Sequence, residues 1–329
     1  MANTSELRQD LVSGDWVVIA PKRAQRPDQF KRKEKRKIAP IKGCLFEDPQ
    51  KNGNGDPILV YPDLKKWKIQ IIPNKYPVLA HRNIRPRINL KGIYNFENGE
   101  GFHDIVITRN HYKNFAHLDK KTALELFKIF QKREKMVAKN KYLKYFFIFH
   151  NWGQKAGASI FHPHYQILSL PIIPPDVARS LEGSARFYKS HKKCVHCEME
   201  EFELESKKRL VYKNKDAIVF TPFASKEPFE LRVFPRKHLP YFENTDEKTL
   251  KGIIDALQKS LLKLEKNLGD PDYIFFIHTA PLQNKKKYTH YHWHIEIQPK
   301  IRFFGGFEVG TGIDITMVKP EQAAKILRG

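Results

Sequence analysis

The chain has 329 residues, 41% of them apolar and 12% aromatic. That is enough to build packed cores, excludes a disordered chain and, at roughly 150 residues per domain, predicts two domains. Lys+Arg 59 against Asp+Glu 36 gives a net charge of +23, which favours anionic partners through the long-range field. The basic residues are scattered, however, and the densest runs, 31–37 and 285–287, read as solvated loops, so small phosphorylated substrates are favoured over nucleic acid. No stretch approaches the roughly 18 uninterrupted apolar residues of a membrane helix, and the amino terminus lacks the basic-then-apolar order of a secretory signal. The expectation is a cytoplasmic protein without a membrane partner.

In chain order, Cys44 precedes an apolar run at Trp67–Pro73, and a strand at Asp104–Thr108 leads to His111. The spacing of Ala123, Leu124, Leu126, Phe127, Ile129 and Phe130 predicts a helix over about 120–139. Tyr145–Phe149 reads as a buried strand. A glycine-bearing turn, Asn151-Trp152-Gly153 to Gly157, then leads into Ile160-Phe161-His162-Pro163-His164-Tyr165-Gln166-Ile167.

The second half repeats this order. Cys194-Val195-His196-Cys197 opens it, strands follow at Ala217–Phe220 and Glu230–Phe234, and His238 closes the second of them. A helix is predicted over about 246–267 from Leu250, Ile253, Ile254, Leu257, Leu261 and Leu264. The strand Tyr273–Ile277 precedes a basic loop and His292-Trp293-His294-Ile295-Glu296. His111 and His162 are 51 residues apart, and His238 and His292 are 54 apart. The two segments read as an internal duplication with a boundary near Pro174-Pro175. Strands broken by one long helix per half predict an α+β fold of antiparallel sheet with packed helices, one unit over 1–174 and one over 175–329.

Cys194, Cys197, His238 and His292 have the ligand types of a closed, structural zinc site. In the first half Cys44 keeps one sulfur and Glu47 stands where the second would be. With His111 and His162 this makes a mixed and weaker set. His162, His164 and Gln166 alternate, so on a strand they share one face. A neutral imidazole can attack phosphorus when its other ring nitrogen is held as an N–H donor. Near His164, Gly153, Gly157, Asn151, Ser159 and Gln166 supply backbone and neutral side-chain donors for an anion. In the second half Trp293 and Glu296 replace Pro163 and Gln166, so one half reads as catalytic and the other as structural.

The stretch Ala158–Gln166 with Asn151-Trp152-Gly153 and Gly157 before it resembles the active-site signature of the galactose-1-phosphate uridylyltransferases, in the histidine-triad (HIT) superfamily. Leu7-Arg8-Gln9-Asp10, Gly14–Pro27, Pro73-Asn74-Lys75-Tyr76-Pro77 and Phe303–Glu308 are similar to further segments of that family. The resemblance implies two tandem HIT-like domains and a ping-pong transfer of UMP from UDP-glucose to a hexose 1-phosphate through a nucleotidyl-His164, within galactose metabolism. It implies that Gln166 and Ser159 bind the α-phosphate, that Asn74, Asn151 and Gly157 hold the nucleotide, and that Arg23 and Arg26 lie near phosphate. It also implies a homodimer whose sites are completed by the segment Phe303–Glu308, and zinc as the metal.

Some members build the second site from a glutamate and three histidines, for which Glu182, His278, His292 and His294 stand here; the paired cysteines favour the cysteine set. Gly310-Thr311-Gly312 looks more like the related ADP-glucose phosphorylases, which makes adenylyl transfer the alternative. A nucleotide- or RNA-binding protein of the same fold without transferase activity is a further one. A hydrolase is disfavoured because Gln166 stands where hydrolases of the superfamily carry a third histidine.

Overall fold

A computed structural model describes residues 4–23, 30–32, 34, 36–81 and 87–329. Arg26, expected near phosphate, lies outside the described residues. The strands, in chain order, are β1 (Glu6–Gln9), β2 (Trp16–Ile19), β3 (Leu59–Tyr61), β4 (Ile69–Pro73), β5 (Ala80–His81), β6 (Ile88–Lys91), β7 (Tyr94–Glu97), β8 (Glu100–Thr108), β9 (Tyr145–Trp152) and β10 (His164–Leu170) in the first half. In the second half they are β11 (Leu210–Lys213), β12 (Ala217–Phe220), β13 (Leu231–Pro235), β14 (Tyr273–His278), β15 (His294–Pro299) and β16 (Asp314–Thr316). The helices are α1 (Lys120–Val137), α2 (Pro175–His191), α3 (Val195–Ser206), α4 (Glu247–Leu268), α5 (Gly306–Thr311) and α6 (Pro320–Arg328).

One antiparallel path, β11-β12-β13-β15-β14-β9-β10-β8-β4-β3, spans both halves. Each half contributes five strands in the same relative order, and the last-but-one strands, β9 and β14, pair antiparallel at the centre. The two long helices begin alike. Asp119 and Asp246 each lie eight residues after a histidine, His111 or His238, and each side chain accepts from the N–H three residues on, at 2.9 Å in both. Such a cap satisfies one of the N–H groups a helix start leaves open, and is worth about 1 kcal/mol.

Period-two alternation divides the sheet into two faces. Ile69, Ile71, Val106, Phe146, Ile148, Tyr165, Ile167, Val233, Phe275, Ile277, Ile295 and Ile297 point to the side covered by α1 and α4, and there form the main core with Phe127, Phe130, Leu257 and Leu261. The other face carries His164 and Gln166 in one half and His294 and Glu296 in the other. In the second half α3 covers it through Met199 and Leu204 on Ile218, Phe220 and Phe234. A separate three-stranded sheet joins β1, β2 and β16, so the segment that leads to Arg23 is tied to the one that follows Phe303–Glu308.

The basic run 31–37 is not a solvated loop throughout. Arg36 binds Asp270 at 2.7 Å and Asp272 at 3.0 Å, and Arg32 binds Asp272 at 2.8 Å. The run 285–287 forms a 3-10 turn in which Lys285 pairs with the buried Glu243. In both places a buried carboxylate far along the chain supplies the partner, which local charge density does not reveal.

Candidate active site

Strand β10 brings the nucleophile candidate to the centre of the open face. Backbone pairing sets Gln166 opposite Phe149 on β9 and Ile105 on β8. His164 is buried beneath Phe46, whose ring lies 5.2 Å from its own. Its Nδ1–H donates to the His162 carbonyl at 2.9 Å, and among the described residues Nε2 makes no hydrogen bond. That bond selects the tautomer with a lone pair on Nε2. Burial also pushes the imidazole pKa below its usual value, so the ring is neutral at pH 7. The backbone of His164 is held from the other side, because its carbonyl accepts from His150 Nδ1–H at 2.7 Å.

Around it, the turn 153–157 is shaped by glycine. Gly153 has φ +88°, and a Cβ there would lie 2.2 Å from the Asp272 carboxyl and 2.4 Å from Arg36 Nη1. Gly157, at φ +86°, lies beside the Asn151 amide. The turn is pinned from the second half: Trp152 Nε1–H donates to Asp270 at 3.0 Å and the Lys155 N–H to Asp272 at 2.8 Å. Gln166 Oε1 accepts from His103 Nε2 at 2.9 Å, and the Asn74 amide lies against the same His103 ring. Thus His164, Gln166, Asn151, Gly157 and Asn74 come together on one face. Ser159 lies exposed between the turn and β10.

Three further expected contributors lie outside this hydrogen-bonded cluster. Arg23 is exposed at a 3-10 turn after β2, with no hydrogen bond or ion pair to the cluster among the described residues. Phe303 is exposed, and the Lys155 ammonium of the nucleotide-side turn sits 5.5 Å from its ring centre. The Glu308 carboxylate faces its own chain, accepting the Gly305 N–H at 3.0 Å beside Arg302 at 3.5 Å.

Among the described residues three clusters bring metal-ligand types together, with ligand atoms within 4.8 Å of one another, and two of them are the expected sets. In the first, His111 Nδ1 is 3.0 Å and His162 Nδ1 3.4 Å from Glu47 Oε1, and Cys44 Sγ is 3.5 Å from His162 Nδ1. Both outer nitrogens donate to backbone, His111 to Ala39 at 2.9 Å and His162 to Thr108 at 2.7 Å. This outer-shell arrangement fixes histidine ligands with their inner lone pairs converging. Burial holds the His162 pKa down at about 4, which keeps that lone pair available. The residues fit a cation.

In the second cluster Cys194 occupies the position just before α3, and one turn later Cys197 shares its face. Cys197 Sγ is 3.4 Å from His238 Nδ1 and 3.7 Å from His292 Nδ1, and His238 Nε2 donates to the Thr289 carbonyl at 2.8 Å. A hydrogen bond from Cys197, assisted by His238 and His292, pulls the Cys194 thiol pKa far down, while the same hydrogen bond, burial and the Cys194 charge push Cys197 up. Two thiols facing two imidazoles in this way again fit a soft divalent ion.

The glutamate–histidine alternative does not assemble as expected. Glu182 is exposed, and His292 joins the cysteines. His278 and His294 instead meet Glu296. Glu296 pairs with the buried Arg232 at 3.4 Å, and Arg232 also reaches Asp10 on the loop after β1 at 3.3 Å.

Sequence reasoning missed His103 and the Arg36–Asp270–Asp272 cluster, because both act through pairings between distant segments. The alternation along 100–108 could have placed His103 on one face of a strand, but not opposite Gln166.

Compared with known proteins, residues 1–174 match the family profile described as galactose-1-phosphate uridyl transferase, N-terminal domain, and residues 94–328 match a domain of unknown function (DUF4921). ADP-glucose phosphorylase of Arabidopsis thaliana is 33% identical over 98% of this chain and 92% of its own. Galactose-1-phosphate uridylyltransferase of Thermotoga maritima is 26% identical over 98% of this chain and 98% of its own. The crystal structure of an ADP-glucose phosphorylase from Arabidopsis thaliana with bound ADP-glucose has a TM-score of 0.84 to this chain at 30% identity, with 99% of each chain covered. The matched residues include both halves of the sheet and every residue placed around His164. The chain belongs to the galactose-1-phosphate uridylyltransferase family of nucleotidyltransferases.

Proposed function

We propose that the chain moves a nucleoside monophosphate from a nucleoside diphosphate sugar to a second phosphate acceptor, through a covalent adduct on His164. The observation that carries this is the His164 tautomer: Nδ1–H is committed to the His162 carbonyl, and Nε2 is the free, neutral nucleophile. Nε2 attacks the α-phosphorus, the bond from phosphorus to the bridging oxygen breaks, and sugar 1-phosphate leaves with that electron pair. The charge gained by the imidazole is stabilised at Nδ1–H by the His162 carbonyl. An oxygen of the acceptor phosphate then attacks the phosphorus and releases His164. Gln166 and Ser159 donate to the non-bridging oxygens, Asn74, Asn151 and Gly157 hold the nucleotide, and Arg23 supplies positive charge near phosphate.

UMP transfer from UDP-glucose to a hexose 1-phosphate is the first reading, supported by the family profile. Adenylyl transfer is the second, favoured by the 33% identity to an ADP-glucose phosphorylase and the TM-score of 0.84 to one with bound ADP-glucose. Incubation with UDP-glucose and with ADP-glucose, each labelled in the α-phosphate, tests both. Acid-labile label on His164 from one donor is expected, and none on His164→Ala. Label from neither donor would sink the covalent route.

We further propose zinc in both clusters as a structural ion. It would be held by Cys194, Cys197, His238 and His292 in the second half and by Cys44, Glu47, His111 and His162 in the first. The matching strand order of the halves supports an origin by duplication, with HIT-like units over 1–174 and 175–329. An exposed apolar hairpin, with Ile88, Leu90, Ile93 and Tyr94, and the exposed Phe303 and Val309 support a homodimer. Among the described residues no helix is long and apolar enough to cross a membrane; the proposed setting is the cytoplasm.

A further inference from the structure

Gln166 can present either end of its carboxamide to the substrate, and the two ends have opposite effects. The NH2 donates to a phosphoryl oxygen, whereas the carbonyl would face it lone pair to lone pair. The surrounding hydrogen bonds decide which end faces the substrate. His103 lies on β8 opposite Leu168, is buried, and reaches diagonally to Gln166 Oε1 with its Nε2 at 2.9 Å. Its other ring nitrogen faces the Val78 backbone N–H at 3.2 Å. A backbone N–H cannot reverse its role, so Nδ1 accepts and the ring proton sits on Nε2.

The Asn74 amide lies across the same ring edge and leaves the assignment to the Val78 N–H: its Oδ1 accepts from the Tyr76 N–H at 2.9 Å, and its Nδ2 is 3.1 Å from Nε2 and 3.3 Å from Nδ1. With Nε2–H donating, Gln166 Oε1 is the acceptor and the Gln166 NH2 is turned to the His164 side.

We infer that His103 is a positioning residue that fixes the polarity of the Gln166 amide. It thereby commits the NH2 to the phosphoryl oxygens and links it to Asn74 in the 73–77 segment. The inference rests on the proposed nucleotidyl transfer at His164. It requires only that an anion meets Gln166, and does not depend on which base the donor carries.

The two variants that isolate polarity have nearly the same shape. His103→Gln can accept from Val78 and donate to Gln166. His103→Glu can only accept, and so draws the Gln166 NH2 towards itself. Loss of one donor to a developing oxyanion costs on the order of 10²–10³ in rate. In single-turnover loading of His164 from the donor that labels the wild-type protein, His103→Glu should therefore be slowed on the order of 10²-fold. His103→Gln should retain most of the rate and of the affinity for the nucleoside monophosphate, whereas the carboxylate of His103→Glu should weaken that affinity as well. Equal loading by the Gln and Glu variants would overturn the inference, since a purely space-filling residue does not distinguish them. A wild-type protein that takes no label would overturn the transfer reading instead. In that event the ring tautomer still decides, read from long-range proton–nitrogen correlations in histidine-labelled wild-type protein without substrate. A proton on Nε2 of His103 supports the assignment, and a proton on Nδ1 overturns it.

Discussion

Removing the Arg36 side chain tests how the basic amino-terminal run serves the site. The guanidinium uses nearly all its donors: Nε to Asp270 Oδ2 at 2.7 Å, Nη2 to the Asp270 and Pro271 carbonyls at 3.1 and 3.2 Å, and Nη1 to Asp272 at 3.0 Å. It also stacks over Trp152 at 4.4 Å. Breaking a buried ion pair by deleting one partner costs about 3–5 kcal/mol. Arg32 remains on Asp272 at 2.8 Å and Asp270 is 35% exposed, so Arg36→Ala belongs at the low end of that range, about 3 kcal/mol. At about 2.1 cal/mol/K of unfolding entropy per residue, a chain of 329 residues should lose about 4 °C in Tm. The same carboxylates hold Trp152 Nε1 and the Lys155 N–H, so the nucleotide-side turn loosens with them. A displacement of about 1 Å near the reacting atoms costs on the order of 10²-fold, and loading of His164 should fall accordingly. Arg36→Lys, with charge but no fork, should lie between. Calorimetry and the labelling assay check this, and an Arg36→Ala protein with unchanged Tm and unchanged loading would refute the clamp.

The remaining predictions concern metal and pH. Elemental analysis should find two zinc ions per chain; Cys197→Ser should lose one and Glu47→Ala the other, and a wild-type protein without metal would defeat both clusters. Stability should also fall in mild acid because of His150, whose fully buried ring is held down to about 3 by desolvation. Below about pH 6.5 the unfolded chain takes up a proton there that the folded chain refuses. Stability is therefore intact above 6.5 and is lost between 6.5 and about 3, at about 1.4 kcal/mol per pH unit from this group. His150→Asn keeps a donor for the His164 carbonyl and should flatten the slope of denaturant-derived stability over that window. An unchanged slope would show that the ring already titrates normally.

Much of the architecture was legible because both periodicities are strong. The helices expected over 120–139 and 246–267 are Lys120–Val137 and Glu247–Leu268, and the strand at Ala217–Phe220 falls where expected. The metal-type clusters were legible too, since their residue types and order are distinctive even when their partners are over a hundred residues away. Helices α2, α3 and α6 were not foreseen. Their apolar residues pack on patches of sheet and helix that only the folded sheet creates, as Val177 and Leu181 do on Tyr291. Glu308, expected at the substrate from its motif, also accepts from the Gly305 N–H, a role set by backbone geometry that a motif does not specify. His103, Arg36 and Arg232 share one reason for escaping notice: each is defined by a partner on a neighbouring strand or loop, and register is a property of the pairing.

Both halves present a histidine pair of the same form, so the pair alone does not make a site catalytic. His294 Nδ1 faces the His292 carbonyl at 3.2 Å, as His164 faces that of His162. The difference lies two residues further on. Gln166 is neutral, partly exposed, and oriented by His103, whereas Glu296 is a carboxylate sealed inside the protein. Burial alone would raise the Glu296 pKa, but Arg232 outweighs it and holds the group well below the usual carboxylate range, so it stays ionised. An ionised carboxylate about 4 Å from an incoming phosphate would oppose it by about 4 kcal/mol at an effective dielectric of 20. The space is also filled: the His196 ring lies 5.3 Å from that of His294, and Asp10 closes over Arg232. The second half thus carries its own cation and anion where the first half leaves room for a substrate's. The same exchange turns it into a support, since the buried Arg232 anchors the amino-terminal loop whose following strand leads towards Arg23.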